Sequence, residues 1–88
     1  MERKRVAFLI YPAVQALDLA GPMDAFAAAV VSGGNGDSFP GYELVTVGLR
    51  AQAMSAECGL LFKSQFTLRT APTFDTLVIP GGAGIRDP

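Results

Sequence analysis

The first apolar block of the chain is Val6-Ala7-Phe8-Leu9-Ile10-Tyr11, unbroken and ended by Pro12. A short run of this kind predicts a strand covered on both faces, as in a parallel sheet, with Arg3-Lys4-Arg5 as its solvated lead-in. After a connection over residues 13–20 comes Gly21-Pro22, which predicts the start of a helix. Proline at the first helical position costs no hydrogen bond, and Asp24 then falls where a carboxylate favours the helix dipole. Met23, Phe26, Ala27 and Val30 follow the i, i+3, i+4, i+7 spacing of one buried stripe, and Ser32-Gly33-Gly34 supplies the stop. That stripe reads as core packing and not as a cofactor box.

Residues 32–41 are rich in glycine and read as a surface loop. Residues 42–49 (YELVTVGL) return to strand character, and the strand-helix-strand unit so formed has the length a right-handed parallel crossover requires. Further on, Leu60, Phe62, Phe66 and Leu68 alternate with Leu61, Lys63, Gln65 and Thr67, and only Ser64 breaks the apolar side. This predicts a strand or hairpin with one wet face. Asp75-Thr76-Leu77-Val78-Ile79 predicts another short strand, followed by Pro80-Gly81-Gly82-Ala83-Gly84. The fold class is therefore α/β, an incomplete flavodoxin-like parallel sheet with no internal repeat.

Composition narrows the chemistry. With 88 residues, 50% hydrophobic and a net charge of −1, the chain reads as a soluble globular segment, at most one small domain with a marginal core. It contains no histidine and one cysteine, Cys58. No internal disulfide is possible, and Ser-His-Asp, Cys-His and most zinc arrangements are excluded for these residues alone. Carboxylates, backbone amides and one thiol remain. After the basic opening no base occurs until Arg50, while Asp18, Asp24, Asp37 and Glu43 lie between, so no basic face is offered to nucleic acid. Three bases before an apolar run also resemble a secretory signal, with Ala27-Ala28-Ala29 imitating a cleavage site, but Pro12, Gln15 and Asp18 interrupt the run and a buried strand explains it better. No segment approaches the roughly 20 apolar residues of a membrane span, so no membrane association and a cytoplasmic location are expected.

In an open parallel sheet the first strand is usually central, and ligands bind beyond the carboxyl ends of the strands, where the strand order reverses. If residues 75–79 flank the first strand on its other side, Asp18 and the Gly81-Gly82 amides face one crevice. A carboxylate at a helix start, sheltered by Leu17 and Leu19, can exchange a proton, while glycine amides can donate to an anion or oxyanion. Plainer readings stand beside these. An aspartate in a turn commonly hydrogen-bonds nearby backbone, and glycines after a strand can simply let the chain turn. Gly-Gly-x-Gly is not the dinucleotide fingerprint. Cys58 lies on no strand-to-helix elbow and reads as a small packed residue, not a nucleophile.

Taken together, Val6 to Pro12, Leu17-Asp18-Leu19-Ala20-Gly21-Pro22, Tyr42-Glu43-Leu44-Val45 and Asp75-Thr76-Leu77-Val78-Ile79-Pro80-Gly81-Gly82 resemble the opening half of the DJ-1/PfpI family, a branch of the class I glutamine amidotransferase-like superfamily. The Leu-Asp-Leu-Ala-Gly-Pro segment is similar to that of two groups, the sensor domains of GlxA-like AraC-family transcription regulators and the isocyanide hydratases. In hydratase-like members the matching aspartate is the acid/base partner of a cysteine nucleophile, which implies that role for Asp18. The second glycine of Pro-Gly-Gly lends its amide to an oxyanion hole, which implies Gly82, with Gly81 beside it in a ligand site. The family's nucleophile lies later in its domain, and Cys58 does not match it.

Residues 1–88 are accordingly expected to be the N-terminal part of a DJ-1/PfpI-like domain, truncated before the nucleophile elbow and unstable alone. Asp87-Pro88 is a good helix opening on which the sequence ends, and one helix covers only one face of a sheet whose strands read as buried on both. The first functional expectation is the ligand-sensing domain of a GlxA-like regulator, binding DNA only through a missing C-terminal region. The second is an isocyanide hydratase-like, cysteine-dependent enzyme. Both take a small-molecule ligand or substrate, use no cofactor or metal, and imply a homodimer at full length.

Overall fold

The computed structural model describes residues 3–32 and 38–82. Its first strand, β1 (Lys4–Ile10), leads into α1 (Ala16–Ala28). Two short strands, β2 (Val30–Ser32) and β3 (Ser38–Pro40), pair antiparallel. They precede β4 (Tyr42–Gly48), then β5 (Met54–Ser55), β6 (Leu61–Phe62), β7 (Phe66–Thr67) and β8 (Thr76–Val78). The main sheet has the order β7-β4-β1-β8. Every pairing within it is parallel, with Lys4 opposite Tyr42, Val6 opposite Thr76 and Val47 opposite Phe66. The first strand is thus central, as the sequence predicts.

Alternation along β1 divides the core. Val6, Phe8 and Ile10 point to one face and pack with Leu19, Met23 and Phe26 of α1, together with Leu44, Met54, Phe62 and Val78. Phe26 stands edge-on to both Phe8 and Tyr42, with ring centroids 6.0 and 4.9 Å away, a geometry the ring quadrupoles favour. On the opposite face, among the described residues, Ala7, Val45 and Val47 meet only the partly buried apolar neighbours Phe66 and Ala71. Leu77 and Ile79 remain exposed, in keeping with the expectation that one helix covers one face.

The helix begins six residues before Pro22, the first helical position that Gly21-Pro22 predicts, so Pro22 lies inside it and the first-turn carboxylate is Asp18, not Asp24. Residues 16–20 (ALDLA) are mostly good helix formers, and burying Leu19 against the sheet holds that turn in place. Pro22 has no N–H to give the Asp18 carbonyl, a loss the core contacts of Leu19, Met23 and Phe26 outweigh. The buried stripe is therefore Leu19-Met23-Phe26 at i, i+4, i+7, while Ala27 is exposed and Val30 has left the helix for β2. The loop predicted over residues 32–41 is in part a β-hairpin: its flanks pair as β2 and β3, and residues 33–37 lie outside the described residues.

The alternating segment after Leu60 also divides. Phe62 in β6 joins the antiparallel pair with β5, whereas Phe66 in β7 extends the main sheet, and Leu60 and Leu68 are exposed. Gln65 makes the transition possible. Its backbone N–H donates to the Thr46 hydroxyl, and its side-chain carbonyl accepts from the Thr46 N–H at 2.9 Å, replacing a strand hydrogen bond just before β7 begins. Among the described residues no helix is long and apolar enough to cross a membrane.

Candidate functional site

Beyond the carboxyl end of β1 the chain turns sharply. Tyr11-Pro12-Ala13-Val14 is closed by the Val14 N–H donating to the Tyr11 carbonyl at 3.2 Å, and Ala13 has φ +66°. Proline followed by a residue with positive φ is the pattern of a type II turn, a place glycine usually fills. This turn is held on two sides. Toward the β5–β6 hairpin, the Ala13 N–H donates to Ser55 and the Glu57 N–H to Val14. Toward the segment after β8, the Gln15 N–H donates to the Gly81 carbonyl at 2.8 Å, Val14 forms an isolated bridge with Gly82, and the Tyr11 hydroxyl donates to the Pro80 carbonyl.

The two loops flanking the strand-order reversal are therefore in direct contact, and they bring Asp18 and Gly81 together. A Cβ added at Gly81 would stand 2.8 Å from Asp18 Oδ2, so the carboxylate lies over the bare Cα of that glycine. Asp18 is half-buried in the first turn of α1, where the unpaired N–H groups of the helix start favour a negative charge. It is not sheltered by both leucine neighbours: Leu19 is buried in the core, but Leu17 is 73% exposed, because a helix turns successive side chains about 100° apart.

Gly82 lies a step further along the same loop, with a different constraint. A Cβ there would meet the Ala13 carbonyl oxygen at 2.5 Å, the Gln15 nitrogen at 2.7 Å and the Val14 Cα at 2.8 Å. The plain reading of the glycines is thus part of the account, since backbone packs on backbone at this point and only glycine fits. The same packing fixes where the amides point. In a trans peptide the N–H lies opposite the preceding C=O, so the Gly81 carbonyl on Gln15 directs the Gly82 N–H away from residues 13–15.

Cys58 is exposed and free, which corrects the expectation of a packed thiol: the hairpin turn carrying it projects from the hydrophobic clusters. With Gln15, Ala16, Leu17 and Glu57 it lines an open hollow of about 630 Å³ next to the start of α1. Another hollow, of about 430 Å³, lies at the amino edge of the sheet among Arg3, Arg5, Glu43 and Asp75, but Arg5 there is already paired with Glu43 at 2.8 Å. Among the described residues no three carboxylate or thiol side chains converge as metal ligands would. Among the described residues the crevice offers the Asp18 carboxylate and the amides of the Gly81-Gly82 pair. Sequence reasoning missed Tyr11 and Gln15, whose contribution is a contact across a gap of more than sixty residues (Tyr11 to Pro80).

Comparison with known proteins gives a consistent picture. The pattern of the DJ-1/PfpI family matches residues 4–87. An isonitrile hydratase of Pseudomonas putida is 32% identical over 81 residues, which is 92% of this chain and 31% of the relative. Among solved structures, a ThiJ/PfpI family protein from Pseudomonas syringae superposes with a TM-score of 0.74 at 25% identity, over 93% of this chain and 30% of that one. A two-domain protein from Anabaena variabilis, with DJ-1/ThiJ/PfpI-like and ferritin-like domains, gives 0.71 at 30% identity, over 91% and 21%. The chain spans about a third or less of the length of these relatives.

Proposed function

The chain belongs to the DJ-1/PfpI family, and from that premise we propose that the crevice between residues 11–18 and 80–82 serves a reaction of the isonitrile hydratase type. Hydration of an isonitrile adds one water across the terminal carbon and nitrogen and yields an N-substituted formamide. In this reading a nucleophile supplied from outside these 88 residues attacks the electrophilic carbon, Asp18 carries the proton to the substrate, and water then releases the product. The Gly82 N–H faces the negative charge that develops when water adds, an interaction stronger in the transition state than in the ground state. Gly81 lets the carboxylate approach the backbone.

The observation that supports this most directly is the approach of Asp18 to Gly81, measured by the 2.8 Å between Oδ2 and the position of an added Cβ. An acid/base group and an anion-binding loop from opposite sides of β1 meet beyond the carboxyl ends of the strands, where α/β sheets bind ligands. The hydratase relative raises this reading above that of a GlxA-like regulator's sensor domain, for which Asp18 and Gly82 line a pocket without catalysing. Both readings place a small molecule at the same loops. The test is hydration of an aliphatic isonitrile by the intact protein, followed as formamide by proton NMR. Turnover is expected, with a loss of about 100-fold or more in Asp18→Asn. Absence of turnover, combined with ligand-dependent DNA binding, would replace the enzyme with the regulator.

A further inference from the structure

Tyr11 is 3% exposed and sits among Val14 and Ala56, with Leu9, Ala16 and Phe62 packed around them. Phenylalanine would fill that space equally well, so packing accounts for the ring and not for the hydroxyl. A buried hydroxyl is costly unless it is hydrogen-bonded, and this one donates to the Pro80 carbonyl, 69 residues away and itself buried. We propose that Tyr11 is a positioning residue: through Pro80, its hydroxyl sets the direction of the Gly81 amide and so the point from which the Gly82 amide, held by Gln15, continues.

The argument follows the two peptide units of the loop. The Pro80–Gly81 unit is held by its carbonyl on Tyr11, so the Gly81 N–H points away from Tyr11. The Gly81–Gly82 unit is held by its carbonyl on the Gln15 N–H, so the Gly82 N–H points away from residues 13–15. Glycine has the most permissive backbone of any residue, and two in succession hold an orientation only when something outside them fixes each peptide plane. Tyr11 fixes the first and Gln15 the second. Both stand on the same loop that enters α1 and delivers Asp18, so one short stretch of chain sets the carboxylate and the donors together. Pro80 contributes a restricted φ and no N–H of its own, which leaves its carbonyl as the handle. As a statement about rate, this rests on the hydratase reading; as a statement about the loop, it stands alone.

The experiment compares the intact protein with its Tyr11→Phe variant by amide hydrogen exchange, with glycines labelled, and by isonitrile hydration kinetics. Exchange at Gly81 and Gly82 is expected to rise about tenfold with exchange in β1 and β4 unchanged, as for loss of one buried hydrogen bond that holds a local segment. The kcat is expected to fall at least about tenfold with KM little altered, because loosening the Pro80–Gly81 peptide plane displaces the Gly82 donor joined to it through Gly81. Incorporation of 3-fluorotyrosine at position 11, which keeps the hydroxyl, should restore both. Unchanged exchange at the two glycines would overturn the proposal. So would a uniform rise across β1 and α1, or unfolding of the variant, because the hydroxyl would then serve global stability. If the wild type hydrates no isonitrile, the enzyme reading fails and the exchange pattern alone decides the role of Tyr11.

Discussion

At the amino edge of the sheet Arg5 joins β4, β1 and the entry to β8. Its Nε meets Glu43, a terminal guanidinium nitrogen donates to the Thr73 carbonyl, and its backbone exchanges hydrogen bonds with Asp75. At the carboxyl edge β1 and β8 are tied by the Tyr11 hydroxyl and by backbone packed on backbone at Gly82. Apart from the backbone bonds between Arg5 and Asp75, the first closure is made of long charged side chains partly in water, which rearrange easily and contribute little. The second is short-range, largely buried and geometrically unforgiving. The approach of the Asp18 carboxylate to Gly81 is built on the second and not on the first.

The contrast can be broken by substitution, most severely at Gly82. Gly82→Ala places a methyl group on three backbone atoms that cannot move aside singly, and is expected to cost about 1–3 kcal/mol in urea unfolding of the intact protein, as overpacking does. Among the described residues Gly81→Ala meets only the end of the Asp18 side chain, so the carboxylate swings away. Stability should change by less than about 1 kcal/mol while, on the hydratase reading, hydration by the intact protein falls about tenfold or more; an unfolding cost like that of Gly82→Ala would mean the two glycines share one structural role. Ala13→Gly relieves a left-handed conformation at +66°, offset in part by the freer unfolded chain, and should raise stability by about 0.5 kcal/mol. At the opposite edge Glu43→Gln breaks the Arg5 pair, whose side chains are 29% and 41% exposed, and should cost no more than about 0.5 kcal/mol, with the difference vanishing in high salt. A larger, salt-insensitive loss there would erase the contrast between the two edges.

Much of the site lies in local pattern. The apolar run at Val6 to Tyr11 and the Pro-Gly-Gly after the last strand announce two strands and two loops, and parallel-sheet logic puts those loops on either side of one crevice. Asp18 and Gly81 do meet there. The start of α1 was not legible because Gly21-Pro22 is a strong local signal, and only the fit of Leu19 against Phe8 and Ile10 decides that the helix runs through it. Cys58 was misplaced for a related reason: a lone small apolar residue gives no indication of which side of a hairpin turn it takes. The segment after Leu60 has a clean alternation, yet Phe62 and Phe66 serve different sheets, because the pairing of Gln65 with Thr46 shifts the chain from one to the other.

Sequence by itself determined the α/β class, the central place of the first strand, the family and the two loops that meet beyond that strand, since hydrophobic period and turn residues act over a few neighbouring positions. Tertiary structure alone decided that Pro22 is helical, that Gly82 is glycine because backbone occupies the space of its side chain, and that Tyr11 reaches Pro80. These depend on which residues far apart in the chain share a few ångströms, and that is set by packing of the whole sheet and helix rather than by any local preference.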